Sequence, residues 1–386
     1  MNNSSSPITW RFLLRVLLKT ALLFVAVNLL FAFAVTPESY GRLSLYNQLW
    51  PGRDRLPYGE NPAESYNLSL NNLPAMVASH RLAQPKATDE FRVLLLGDSA
   101  VWGWLLPNED TLTGQLNQMH LQSDDGRSLI FYNLGYPILS LSKDLLLLDE
   151  ALAYEPDLIV WLVTLDSLAP AQQLNHPLLW HNAPRTQELI QTYQLPLDGA
   201  DGRFVTPTFW QRTLVGQRQE LANWLRLQQL GAAWQVTGVD QAIPPEYKPR
   251  AIDLDADESW QGFATAVPLT TADLAFPMLA AGVQMADDVP VDVPIVIVNE
   301  PIFVSDGQNS DLRYNAWYPR WAYDQYRELL AETAVTHQWT YLDLWNLVPG
   351  AEFTDSPVHL TAVGNQLLAD ELADFISPET ASFRGN

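Results

Sequence analysis

Apolar positions in this chain fall into runs of two lengths, and the two lengths predict different things. From Trp10 to Val35 the sequence reads WRFLLRVLLKTALLFVAVNLLFAFAV, with Arg11, Arg15 and Lys19 ahead of sixteen uncharged residues, Thr20 to Val35. About 20 apolar residues span a bilayer, and the Leu-rich turn between Arg15 and Lys19 brings this stretch to that scale while the basic side chains snorkel. From Phe91 onward the runs are short and stop at Gly, Asn or Asp, as buried strands of a parallel sheet do. Phe91–Leu96 stops at Gly97, Leu129–Tyr132 runs into Asn133-Leu134-Gly135, and Asp157–Val163 follows. Helical stretches are expected between them at about 110–121 and 142–154. The same rhythm returns with Pro294–Val298 leading into Asn299-Glu300-Pro301, a helix at about 317–336, a strand at Trp339–Asp343 and a last helix at about 361–375.

Strands that alternate with helices predict the α/β class, with a parallel sheet and right-handed crossovers. Regularity lapses between about 166 and 288, where 187–193 and 213–229 look helical among Pro-rich and acidic stretches. This part is expected to be an insertion, or cap, beside one sheet built from its flanks. Residues 36–90, rich in Pro, Asn, Gly and Tyr, read as a stalk and lead-in, and 377–386 as a C-terminal tail. The acidic run Asp253–Glu258 departs from a calcium loop, having Glu258 where the loop needs Gly and Ala264 where it needs a bidentate Glu. It reads as a solvated loop.

Charge adds a direction to the apolar N-terminus. Twenty-two Lys and Arg against 44 Asp and Glu give −22, which repels phosphate backbones and argues against a nucleic-acid partner. No acid precedes Glu38, so beyond the span stand 19 basic and 44 acidic residues, −25. The positive-inside rule then places the N-terminus in the cytoplasm and the body outside, on an uncleaved single-pass signal anchor occupying residues 1–35. Cleavage near Ala34, after the A-x-A-like Ala32-Phe33-Ala34, is the alternative and would secrete the body. A buried amphipathic core helix is the third reading of the same residues.

The candidate chemistry sits at strand ends, where open parallel sheets gather their functional groups. The chain has no cysteine, so any nucleophile is an oxygen or a nitrogen. Ser99, in the turn Gly97-Asp98-Ser99 after the first body strand, can expose its hydroxyl and turn its own N–H into an anion-binding concavity. It needs a base to take its proton. His359, directly before the last helix, is the candidate base. Asp355, four residues earlier, is the candidate for the carboxylate that orients and charge-stabilises the imidazole. His80, His120, His176, His181 and His337 have no metal-ligand spacing, and no phosphate-binding glycine motif is present, so no metal or cofactor is expected.

Ser99 after the first strand and Asp355…His359 before the last helix resemble the SGNH/GDSL hydrolase superfamily, over residues 91–376 apart from the insertion. The resemblance implies a three-layer α/β/α, flavodoxin-like parallel sheet, with Ser99 as nucleophile, His359 as general base and Asp355 as the acid. It further implies an extracytoplasmic serine esterase or O-acyltransferase acting on an acylated carbohydrate or other ester, the basic-flanked anchor being similar to exported carbohydrate-modifying branches.

The sequence departs from the family pattern at three places. The Asp normally lies three residues before the His, a slot held by Ser356, so Asp355 requires a bulged loop. In the second block Ile138 stands where a glycine normally lends its N–H to the oxyanion hole, with Gly135 nearby. In the third, Leu165 replaces an asparagine donor. Loss of one such donor lowers turnover ~10²–10³-fold, which motivates an alternative: a catalytically impaired carbohydrate-binding or assembly protein. Asn299 and Glu300, at the fourth strand's end, are candidate substrate contacts; Trp102 and Trp104 are candidates for an aromatic wall, and Tyr314-Asn315 for a closing loop.

Overall fold

The computed structural model describes residues 9–35, 37–43, 52–58, 72–204, 207–237, 267–307 and 309–379. Helix α1, Trp10–Ala34, starts at Thr9, whose side chain accepts from the Phe12 amide. Its side chains are mostly exposed, and among the described residues it is the one helix long and apolar enough to cross a membrane, with mean hydropathy 2.3. The Asp253–Glu258 run and the end of the tail lie outside the described residues.

The body is built on five parallel strands: β1 Glu90–Gly97, β2 Ser128–Gly135, β3 Leu158–Val163, β4 Ile295–Asn299 and β5 Thr340–Asp343. Their order is β2-β1-β3-β4-β5, so the strands at 90–97 and 295–299 share one sheet across the insertion, as expected. The register aligns the functional ends: Gly97 pairs with Gly135, Val163 with Asn299, and Asn299 with Asp343.

Successive side chains on a strand point to opposite faces, and here both faces are apolar. Leu94, Leu96, Trp161 and Ile297 face helices Leu141–Ala151, Phe276–Asp287 and Arg320–His337; Val93, Leu95, Val160, Leu162 and Val298 face helices Leu112–Gln118 and Ala362–Glu379. The result is a three-layer α/β/α arrangement.

The lead-in corrects the expectation of a stalk. Leu56, Leu73, Met76, Val77 and Leu82 are buried in the first of these two layers. The start of β1 is tied to them through Arg92, which pairs with Glu90 at 2.6 Å and donates to the carbonyls of Leu82 and Tyr154. The described part of 52–90 therefore belongs to the domain. Pro, Asn and Gly spacing misses this because such a segment packs through isolated apolar side chains and backbone contacts, which carry no period.

Candidate active site

Strand β1 ends at Gly97, and the chain turns at once into α2, the short helix Ser99–Trp102. Asp98 caps it, its Oδ1 accepting from the Ala100 amide at 2.7 Å, and Gly103 closes it in the left-handed conformation (φ 86°) that favours glycine. Gly135 lets this turn sit against the end of β2: a Cβ there would lie 2.3 Å from the Trp102 nitrogen. Ser99 is thus the first residue of a helix, where the amide has no acceptor within the helix and is available to an anion.

The other half of the site is a hairpin loop bridged at its base. Phe353 and Leu360 form an antiparallel bridge, the Thr354 amide donates to the His359 carbonyl at 2.8 Å, and Ser356 Oγ at the tip accepts from the amides of Val358 and His359. The Phe303 amide donates to the Pro357 carbonyl and ties the tip to the segment after β4. This hairpin brings Asp355 Oδ1 to 2.7 Å from His359 Nδ1, and places His359 Nε2 2.8 Å from Ser99 Oγ. A carboxylate only accepts, so Nδ1 carries the proton and Nε2 is left to accept from the serine hydroxyl. Burial raises the Asp355 carboxyl, but the hydrogen bond and charge of His359 outweigh it and hold the group below the usual carboxylate range.

Trp104 completes this assembly. Its indole N–H donates to Asp355 Oδ2 at 3.1 Å, and its ring stacks on His359 with centroids 5.7 Å apart. The same side chain therefore fixes the carboxylate and covers the imidazole. Trp102 is buried instead, donating to the Leu56 carbonyl with the Arg55 guanidinium over its ring, so it packs the lead-in against the Gly97–Ser99 turn.

Behind the turn lies a buried charged cluster. Lys143 is fully buried on helix Leu141–Ala151; its ammonium donates to the carbonyls of Gly97 (2.8 Å) and Tyr136 (2.6 Å) and stands 2.7 Å from Asp144 Oδ1. It thereby joins the end of β1 to the 135–138 loop. His176 holds the same loop from the other side: its Nδ1 accepts from the Leu178 amide, so Nε2–H donates to the Pro137 carbonyl at 3.1 Å. Burial, followed by the charge of Lys143, lowers His176 to about 3 and keeps it neutral. The sequence signal for Lys143 was the pair Lys143-Asp144 in the first turn of an otherwise Leu-rich helix. His176 gave none, since its partner is a backbone carbonyl.

The remaining candidates divide. Ile138 is 41% exposed in the loop after β2, with φ 77°, a conformation costly for a β-branched residue. Leu165 is fully buried and offers no donor. Asn299 does not reach the surface: its Oδ1 accepts from the hydroxyls of Tyr323 and Tyr326 and its amide donates to Asp343. Glu300 is also buried, beside Asp98, Asp144 and Lys143. Burial, then the charges of Asp98 and Asp144, push its carboxyl well above the usual range, with Lys143 opposing them. Both expectations of a substrate contact are corrected in the same way. A polar pair ending a strand has the same sequence appearance whether it faces solvent or locks the next helix. Tyr314 and Asn315 likewise turn inward, Asn315 donating to the Phe303 carbonyl and accepting from the amides of Trp317 and Tyr318.

No family model and no curated protein matches the chain. Solved structures do. A carbohydrate acetylesterase from Sinorhizobium meliloti is similar at 13% identity, with 74% of this chain and 98% of that one covered and a TM-score of 0.35. A lipase/acylhydrolase from Enterococcus faecalis is similar at 13% identity, with 75% and 96% covered and a TM-score of 0.36. An aryl esterase from M. smegmatis in an inhibitor-bound form is similar at 13%, with 74% and 97% covered and a TM-score of 0.34. A five-stranded parallel sheet with Ser99 and His359 together at its carboxyl edge is the arrangement that the Gly97-Asp98-Ser99 turn and the His359 segment predict.

Proposed function

We propose that the protein is a serine ester hydrolase of the SGNH type, with its catalytic body outside the cytoplasmic membrane. The observation that carries this reading is the continuous hydrogen-bonded line from Asp355 through His359 to Ser99 at the carboxyl edge of the sheet. Ser99 Oγ attacks the acyl carbonyl as His359 Nε2 takes its proton; the resulting imidazolium is stabilised by Asp355 and returns that proton to the departing alcohol oxygen. The developing oxyanion is held by the Ser99 amide with a second amide of the 135–138 loop. Water, or a second hydroxyl in a transferase, then attacks the acyl-serine with His359 as base. An acylated carbohydrate is the substrate class favoured by the part-buried Trp104 ring beside His359, since such a ring can pack against a sugar face.

A fluorophosphonate probe asks whether Ser99 is activated. The wild type is expected to label and to hydrolyse a short-chain ester, and Ser99→Ala to abolish both, with His359→Ala close to it. Asp355→Asn is expected to lower turnover up to ~10⁴-fold, because the amide stabilises the wrong tautomer of the imidazole. Unchanged turnover in Ser99→Ala overturns the mechanism. A wild-type protein that neither labels nor hydrolyses esters, yet binds glycan, favours the binding-protein reading, for which Ile138 and Leu165 are the motive.

A further inference from the structure

Asn28 is a polar residue set within the apolar stretch of α1, and it is buried while most of the helix is exposed. Its side-chain amide donates to the Phe24 carbonyl at 2.9 Å, and its Oδ1 accepts from the Val215 amide at 3.1 Å. Val215 belongs to the insertion. Next to it lies the short helix Phe209–Arg212, whose Phe209 ring meets Phe33 of α1 at 5.8 Å. Asn28 precedes the end of α1 at Ala34 by six residues, about 9 Å along the axis at the usual rise. If α1 spans the membrane, residues 209–215 run from close to its outer end, at Phe33, down to the level of Asn28.

The composition of this part of the insertion agrees with such a depth. Residues 202–219 contain Arg203, Arg212 and Arg218 and no acid, in a chain whose net charge is −22. Trp210 is 76% exposed and Val215 45% exposed, with Arg212 also on the surface. An exposed indole flanked by apolar side chains and arginines is the chemistry of the membrane interface, where the ring sits at headgroup level and the guanidinium meets lipid phosphate.

We propose that residues 208–218 form a second membrane contact, dipping into the outer surface of the same bilayer that α1 crosses. This rests on the reading of α1 as a membrane anchor. The occupant of this face is lipid, because the face is continuous with the helix that would itself be surrounded by lipid. The insertion is then not only a cap on the sheet. It is the part of the body that fixes how the site stands relative to the membrane.

The absence of cysteine makes the test clean. The full-length chain, reconstituted in vesicles of phosphatidylcholine and phosphatidylglycerol, is labelled with an environment-sensitive fluorophore in the single-cysteine variants Trp210→Cys, Leu30→Cys and Val335→Cys. All three positions are exposed, so folding is not at stake. The label in Trp210→Cys is expected to be quenched by lipid-borne nitroxides nearly as strongly as that in Leu30→Cys and to be shielded from aqueous iodide, with the reverse for Val335→Cys. A label in Trp210→Cys that behaves like that in Val335→Cys, while Leu30→Cys is quenched by lipid, overturns the second contact and leaves the anchor. No lipid quenching in Leu30→Cys overturns the anchor itself, and this proposal with it.

Discussion

Ile138 shows how a single side chain can set the tone of a loop. Non-glycine residues held in the left-handed region cost on the order of 1–3 kcal/mol, and a β-branched side chain is among the worst suited. The surrounding contacts enforce it: Lys143 grips the Tyr136 carbonyl, His176 grips the Pro137 carbonyl, and the Tyr136 amide donates to Gly97. Ile138→Gly removes the strain and gives up little packing, since the side chain is part-exposed; the glycine's extra freedom in the unfolded chain offsets part of the gain. The expected net effect is stabilisation of about 1 kcal/mol, seen as an upward shift of the urea midpoint at constant slope. A lower midpoint would mean that the isoleucine packs well enough to repay its backbone.

At this scale the sequence showed the chemistry better than the supports. Ser99, Asp355 and His359, which the structure brings into one hydrogen-bonded line, stood out in the sequence because the roles proposed for them require particular residue types at particular junctions. Trp104 was legible as an aromatic at the site and not as the donor to Asp355, since that bond joins residues 251 apart through the hairpin. Asn299 and Glu300 were misplaced because a strand end fixes position along the sheet, not whether the side chain faces water.

Among elements, the lead-in is the one whose packing a periodic reading could not supply, and it carries its own pH signature. Arg53 and His80 form a bridge within it. His80 Nδ1 accepts from the Leu82 amide, so Nε2–H donates to the Asp54 carbonyl, and burial lowers the ring to about 4. A neutral buried imidazole binds its proton more weakly in the folded chain than in the unfolded one, where its pKa is about 6.5. Its stabilising contribution is thus complete above about pH 6.5 and is lost as pH falls toward 4, at up to ~1.4 kcal/mol per pH unit. The difference in unfolding free energy between wild type and His80→Gln, measured across that window, should shrink by that slope as the solution is acidified. A difference independent of pH would show that His80 is free to protonate in place and that the lead-in opens around it.

The strands, by contrast, were found almost residue for residue, because a parallel sheet buried on both faces leaves short unbroken apolar runs whatever surrounds it. The insertion was legible as an interruption holding two helical stretches, which are found at Ala183–Thr192 and Arg218–Thr237. Its contact with α1 was not, because it depends on Asn28 meeting a backbone amide 187 residues away.

For the whole molecule the decisive asymmetry is electrostatic. The basic residues of α1 lie in its first half and the acids all follow it, which favours export of the body. Alkaline phosphatase fused after Val35 should be active and a cytoplasm-dependent reporter at the same junction silent. The opposite pattern would place the site in the cytoplasm and remove envelope esters from consideration.

The burial of the lead-in also governs where a cut can shed the body. Arg55, reaching from this segment, donates to the Gly103 carbonyl at 2.8 Å and so holds the far end of the nucleophile turn, while Leu56, Leu73, Met76 and Val77 fill one side of the sheet. A protease that cut the chain just beyond α1, ahead of the buried Tyr40, would free a body with its core intact. A cut beyond Tyr58 would divide the core between two fragments and leave the soluble one without the arginine beneath its serine. The junction between the end of α1 and Tyr40 is therefore where a scissile bond can release the body with its packing whole.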